Sequence, residues 1–514
     1  MSKTIIIIGA GLAGLSAALQ AAENGCNVKL VSSLPSERAQ SVMAEGGINA
    51  ALNTKDENDS PEEHFTDTIK AACGLADPNA VWGMTQAAPE LVHWLLKLGV
   101  KFNMSGYDDV DLRNFGGQKK KRTAFAQSDT GKQIMTAMID AVRRKEASGM
   151  VERFSHHSFL TLRLCDNICC GCVIRDEYSQ ETVELPGDAV IVATGGMHGL
   201  FGNTTGSLSN TGEVTAELFR LGVPLANGEM IQYHPTTVKC GGKRMLISEA
   251  ARGEGGRLFA MKDGKQWYFM EEKYPELGNL MPRDITAREI WKVSHESEVF
   301  LDMTEISEEI ISNKLSGLAD DCMTYLHKDI RKEPVSVLPG IHYFMGGILV
   351  DEQHRTPIQN LYAAGECCAQ YHGANRLGGN SLLGALYGGR VAAKSACEQA
   401  DVVDLSCATQ IDFPPASQIS EIKQLNKVMQ ETMGVVRNEN TLLNGIQTVQ
   451  ALTGNLPLLG MAVLKSALAR KESRGAHWRE DYPKSNVDDY LKTTVARFDG
   501  KQIQISFVPV PERR

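Results

Sequence analysis

Three glycines, Gly9, Gly11 and Gly14, stand where a short β-branched run, Ile5 to Ile8, gives way to apolar residues at helical spacing, Leu12, Leu15, Leu19 and Ala22. A G-x-G-x-x-G sequence in that setting has a defined use. The first glycine makes a tight turn, the second lets the backbone approach a pyrophosphate, and the third lets helix and strand pack closely. Ala10 and Ala13 lie within the same turn and belong to the same candidate site. The bland alternative is a plain strand-to-helix turn, and the second β-branched run, Val28 to Val31, argues against it by completing a βαβ unit. That second run ends in Ser32 and Ser33, where an acid for a nicotinamide ribose is expected, so the fingerprint alone does not choose between NAD and FAD.

Three further glycine-rich turns make the choice. Ala44-Glu45-Gly46-Gly47, Ala193-Thr194-Gly195-Gly196 and Ala364-Gly365-Glu366 together can line one long, extended cofactor, which points to FAD. The last two follow strand-like runs, Ala189 to Ala193 and Leu361 to Ala364. Strands that return to one nucleotide-binding sheet from such distant parts of the chain imply an inserted domain. The expected architecture is α/β: a Rossmann-like FAD-binding domain over residues 1–229 and 345–405, with an α+β capping domain inserted at 230–344. The stretch Ile411 to Ser417 punctuates the chain as a linker, and Ile419 to Leu452 and Leu456 to Lys471 carry helix formers at near-helical spacing. A C-terminal helical domain is therefore expected over 406–514.

The bulk properties agree with a folded enzyme. The chain has 514 residues, 42% hydrophobic and 22% charged, enough for a large core and several domains. A net charge of -9 excludes nucleic acid as the main partner, and the basic run Lys119 to Arg122 reads as a local patch. The N-terminus lacks the pattern of a signal peptide, and no apolar stretch is long enough to span a bilayer. A cytoplasmic location follows, with any membrane association made through a partner. The twelve cysteines are expected to be reduced thiols. Cys165, Cys169, Cys170 and Cys172 lack the regular gaps of an iron–sulfur or zinc site and read as part of a β-hairpin, so no metal is expected.

From Gly9 to about Pro483 these segments resemble the flavoprotein subunits of succinate dehydrogenase and fumarate reductase, with L-aspartate oxidase as a close relative. The resemblance implies cofactor contacts at Ser32, Gln40, Ser41, Glu45, Gly46, Gly47, Thr194, Gly195, Glu213, Glu366, Arg376, Ser381 and Leu382. It also carries two departures. The family's loop before the Ala44 turn holds a histidine that bonds covalently to the flavin, and this chain has Gln40 there, so the FAD is expected to be non-covalent and the direction of fumarate reduction favoured. Glu213 stands where the family has aspartate, which keeps the charge.

The implied substrate is a four-carbon dicarboxylate, fumarate or succinate, whose two charges need fixed cations and donors. Phe115, His234, Ser248, His342 and Arg376 match the family's substrate-binding positions. Reduction needs a hydride from the flavin and a proton from the protein. Arg283 matches the family's general acid, and Glu249 with Arg252 matches the relay that reprotonates it. An arginine can act this way only if its proton is replaced at once, because its free pKa exceeds about 12. The bland reading of Arg283 is a salt bridge to Asp284. The resemblance further implies an iron–sulfur subunit and a membrane-anchor subunit as partners, placing the chain at the cytoplasmic face of the inner membrane. L-aspartate oxidase is the first rival, but Phe115 stands where oxidases place a glutamate for the substrate ammonium. A flavin-binding protein without turnover is the second, and retention of Arg283 and Arg376 argues against it.

Overall fold

The computed structural model describes residues 2–106, 109–401, 413 and 418–514. The proposed linker at Ile411 to Ser417 lies outside the described residues except for Phe413.

Strand β1 (Thr4–Ile8), helix α1 (Leu12–Glu23) and β2 (Asn27–Ser32) form the first βαβ unit. With β3 (Val151–Ser155), β4 (Ala189–Val192) and β5 (Leu361–Ala363) they make a five-stranded parallel sheet in the order β5-β4-β1-β2-β3. The register aligns Ile6 with Lys29 and Val190, and Ser32 with Ser155. Ile5 to Ile8 are all buried, as a strand covered on both faces requires.

One face packs on α1 and on α2 (Asn380–Gln399). The two helices approach closely because Gly389 has no side chain: a Cβ there would lie 2.3 Å from the Ala13 carbonyl oxygen. The opposite face packs on an antiparallel sheet of His157–Cys165, Ile168–Asp176 and Thr182–Pro186. Cys169 and Cys172 contribute to that core, and the turn at Asp166 and Asn167, both with positive φ, closes the hairpin. Among the described residues no group of side chains has the makings of a metal site. Among the described residues ten cysteines are free thiols. Cys165 departs from the expectation and is disulfide-bonded; it is half-buried at a strand end, outside the enclosed core that holds Cys169 and Cys172.

The chain leaves the nucleotide-binding part along Ile231–Cys240 and returns along Leu338–Phe344, which pair antiparallel. Between them lie a four-stranded antiparallel sheet, short helices and a separate core that includes Ile247, Leu258, Ile290 and Leu301. Three C-terminal helices, Ile419–Thr432, Glu439–Val449 and Asn455–Ala469, pack through Leu425, Met429, Leu442 and Val463 onto Phe219 and Phe344. The C-terminal part is not wholly helical: Lys492–Phe498 and Ile503–Pro509 form a hairpin that extends a sheet begun by Leu225–Ala226. Buried Arg470 clasps the regions together, donating to Glu229 and Glu472 at 2.7 and 2.8 Å.

Candidate active site

A cavity of about 880 Å³ runs along the carboxyl ends of the parallel strands and into the inserted region. Gly9, Ala10, Gly11 and Ala13 form its floor, as the glycine fingerprint requires. Gly9 has φ +110°, and a Cβ there would lie 2.2 Å from the Ala193 carbonyl oxygen. Gly11, the residue that opens α1, has no side chain to cap it, so the helix dipole at this end faces the cavity and favours a phosphate. Leu12 N–H there donates to Ser41 Oγ at 3.3 Å. Gly14 does not reach the cavity; its Cα packs against the Gly9 carbonyl, the third glycine's helix-packing role.

The remaining cofactor candidates distribute along this cleft. Ser32 marks one end of the wall, beside His156 and His157, which sequence reasoning missed; they follow β3, the neighbour of β2. Glu213, Thr194, Gly195 and Glu366 also line the cavity, as do Gln40, Ser381 and Leu382. Glu45, Gly46 and Gly47 meet the inserted region next to Phe115. Three polar atoms of this wall, Ser32 Oγ, Glu45 Oε2 and Ser158 Oγ, are buried without a hydrogen-bond partner. An extended dinucleotide fits this lining: it offers phosphates to α1 and hydroxyls or ring nitrogens to the orphaned oxygens. Burial, reinforced by Asp321, pushes the Glu45 carboxyl up to about 8, against the lowering influence of Arg113 and Ser248.

At the far end the catalytic candidates converge. Pro282 precedes the helix Arg283–Val293 and sets its first residue against the cavity. Arg283 Nε and Nη2 donate to Glu249 Oε2 at 2.8 and 2.5 Å, and Nη1 donates to Gln232 Oε1 at 3.1 Å. Glu249 Oε1 accepts from Gly116 N–H at 3.1 Å and lies 3.4 Å from Arg252 Nη2. Arg252 sits behind the cavity wall and donates to the Asn279 carbonyl at 2.7 Å. Arg283, Glu249 and Arg252 thus form a buried array, and Arg283 pairs with Glu249, not with Asp284. Burial raises the Glu249 carboxyl, but Arg283 and Arg252 overcome this and hold it below its ordinary value, so it is an anion.

The substrate candidates surround this array. Arg376 Nε donates to Gln232 Oε1 at 3.2 Å, and its guanidinium lies 4.3 Å from the centre of the Tyr343 ring. Burial, then Arg283, lowers Arg376 to about 9. His342 Nδ1 is 2.8 Å from Thr205 Oγ1, and the His234 and His342 rings meet edge to face at 5.1 Å. Burial and then Arg283 hold both histidines well below the ordinary imidazole range, so both are neutral. Ser248 caps the short helix Glu249–Gly253. Phe115 is buried against Gly46, where a Cβ would lie 3.1 Å from its ring. Gln232, which joins the two guanidiniums, was not singled out from sequence; its signal is the strand period, which puts 232 on the same face as His234. The result is a pocket with two arginines, two neutral imidazoles and a hydroxyl, suited to a small dianion.

Comparison with known proteins agrees with this geometry. A family model described as FAD binding domain matches residues 4–382, and one described as fumarate reductase flavoprotein C-term matches residues 452–513. The chain is 38% identical to the succinate dehydrogenase flavoprotein subunit of Bacillus subtilis, covering 100% of this chain and 98% of that protein. It is 32% identical to L-aspartate oxidase of Pyrococcus furiosus, over 96% of this chain and 99% of the other. Among solved structures it superposes on E. coli quinol fumarate reductase with a TM-score of 0.89 at 27% identity, covering 99% of this chain and 97% of that one.

Proposed function

Because the chain belongs to the family of succinate dehydrogenase and fumarate reductase flavoproteins, FAD-dependent oxidoreductases, we propose that it interconverts fumarate and succinate, with fumarate reduction the favoured direction. The observation that carries this reading is the buried Arg252–Glu249–Arg283 array opening beside Arg376, His234, His342 and Ser248. Bound FAD supplies the hydride chemistry at its N5. Arg376, with His234, His342 and Ser248, holds the two carboxylates, and Phe115 closes the apolar side. Arg283 delivers a proton to the alkene carbon opposite the one that takes the hydride. Glu249, in contact with both arginines, then returns a proton to Arg283 from the side of Arg252.

Gln40 lines the cavity at the position where the family carries its covalent histidine, and an amide forms no such bond, so the FAD is held non-covalently. The FAD-binding domain comprises residues 1–229 and 345–405, the cap 230–344 and the C-terminal domain 406–514. Among the described residues no helix is long and apolar enough to cross a membrane. Relatives named as subunits support an assembly in which an iron–sulfur subunit exchanges electrons with the FAD and an anchor subunit holds the complex at the cytoplasmic face of the inner membrane.

The second reading, L-aspartate oxidation, is favoured by the likeness to the Pyrococcus enzyme. It needs a fixed anion for the substrate ammonium. Glu249 is committed to two arginines, Glu45 keeps its proton up to about pH 8, and Phe115 is apolar. The test is anaerobic oxidation of a reduced viologen dye by the FAD-loaded chain on adding fumarate, run beside L-aspartate plus oxygen. Fumarate-dependent dye oxidation supports the reductase; peroxide from L-aspartate with no response to fumarate overturns it.

A further inference from the structure

His198 opens the short turn His198–Leu200, just after the Ala193 to Gly196 segment, and its side chain is fully buried behind the cavity wall. Its Nδ1 lies 3.0 Å from Thr204 Oγ1, which already accepts the Gly206 amide at 3.2 Å. The Thr204 hydroxyl has one hydrogen to give, and Nδ1 is an acceptor in reach; the tautomer that takes it carries the ring hydrogen on Nε2, toward the carboxylate. Nε2 has no hydrogen-bond partner, and the carboxylate facing it is Glu366, with Oε1 at 3.5 Å. Glu366 itself lines the cavity, and its Oε1 accepts from the Phe344 amide at 3.1 Å. The ring is seated deliberately: a Cβ at Gly206 would fall 2.2 to 2.4 Å from three of its atoms.

We propose that His198 is a positioning residue that steers the Glu366 carboxylate toward the polyol chain of FAD, where it accepts hydrogen bonds from the ribityl hydroxyls. The assignment to that part of the cofactor follows from place and charge: Glu366 follows β5, on the opposite side of β1 from β2, whose end at Ser32 is the adenosine-ribose position of this fold. A carboxylate is repelled by the pyrophosphate at α1, whereas neutral hydroxyls are the donors that reward it. The contact with Nε2, a little long in the structure, closes when Glu366 is engaged. This inference rests on FAD occupying the cavity that Glu366 lines, as in the function proposed above.

The test is titration of the flavin-free full chain with FAD, followed by flavin fluorescence, and separately with ADP, which lacks the ribityl chain. Glu366→Gln and His198→Ala each weaken FAD about tenfold, the loss of one hydrogen bond to a charged group. ADP binding stays unchanged, His198→Gln restores FAD affinity, and His198→Ala with Glu366→Gln together cost no more than either alone. Gly206→Ala, which expels the ring, reproduces the His198→Ala loss and keeps a check available should His198→Ala fold poorly. Weakening by Glu366→Gln with none by His198→Ala or Gly206→Ala overturns the inference, as does an equal loss of ADP binding, which marks a structural role. No effect of Glu366→Gln overturns the placement of Glu366 itself.

Discussion

Replacing Gln232 by methionine keeps the length and volume of the side chain and removes both its hydrogen-bonding ends. In the structure Gln232 Oε1 accepts from Arg283 Nη1 at 3.1 Å and from Arg376 Nε at 3.2 Å, while its Nε2 donates to Asn375 Oδ1 and to the Arg376 carbonyl at 3.1 and 2.9 Å. One oxygen therefore fixes Arg283, the proposed proton donor, relative to Arg376, the proposed carboxylate clamp. A hydrogen bond to a charged group is worth about 1.5–3 kcal/mol. Loss of two such bonds, felt in full at the transition state, lowers kcat/KM by about 10²- to 10⁴-fold. The loss divides: a higher KM reports the freed Arg376, and a lower kcat reports the freed Arg283. Steady-state fumarate reduction with reduced viologen, at matched FAD content, measures both. A kcat/KM within about threefold of the parent refutes the argument that Gln232 holds the two guanidiniums.

Glu249→Gln, which keeps the shape but cannot carry the returning proton, lowers kcat by about 10²- to 10⁴-fold with FAD content unchanged; a near-normal kcat in the same dye assay removes Glu249 from the proton path. Acid or detergent denaturation of the FAD-loaded chain releases all the flavin into the supernatant, and flavin fluorescence remaining on the protein band of a denaturing gel contradicts non-covalent attachment. The Glu45 carboxyl titrates near 8 in the folded chain against an ordinary 4.5. The unfolded chain therefore releases this proton first, and the flavin-free chain loses up to about 5 kcal/mol of stability as pH rises through that window. Glu45→Gln removes that part of the slope, as urea unfolding at pH 5 and pH 8.5 will report, and parallel curves for the two proteins count against a buried, protonated Glu45.

The parts of this molecule that are legible in sequence are those whose signal is local. The run Ile5 to Ile8 with its following glycines can hardly be anything but a buried strand entering a helix, and the strands before Gly195 and Gly365 repeat the pattern. Their assembly into one sheet followed from needing one cofactor. The terminal hairpin was not legible, because Lys492–Phe498 is polar on its exposed positions and buries only Thr494, Val495 and Ala496, too short a pattern to outweigh the helices before it. Gln232 and His198 were missed for a different reason. Their roles lie in contacts with residues 144 and 168 positions away, Arg376 and Glu366, and no spacing rule reaches that far.

The same contacts decide which group can act as the acid. His234 and His342 are the residues a sequence reader expects to donate protons near neutral pH. Burial and the field of Arg283 keep both neutral, and Thr236 and Thr205 occupy one nitrogen of each. A neutral imidazole can orient a carboxylate by hydrogen bonding, but it is far too weak an acid to protonate a carbon. Arg376 has a proton to give, but among the described residues no carboxylate pairs with it to restore one, and its side chain donates to the neutral Gln232. Among the described cations that line the cavity, Arg283 alone has a carboxylate at 2.5 Å with a second guanidinium behind it. In the proposed mechanism the acid is therefore set less by intrinsic pKa than by which cation has a route for its proton's replacement.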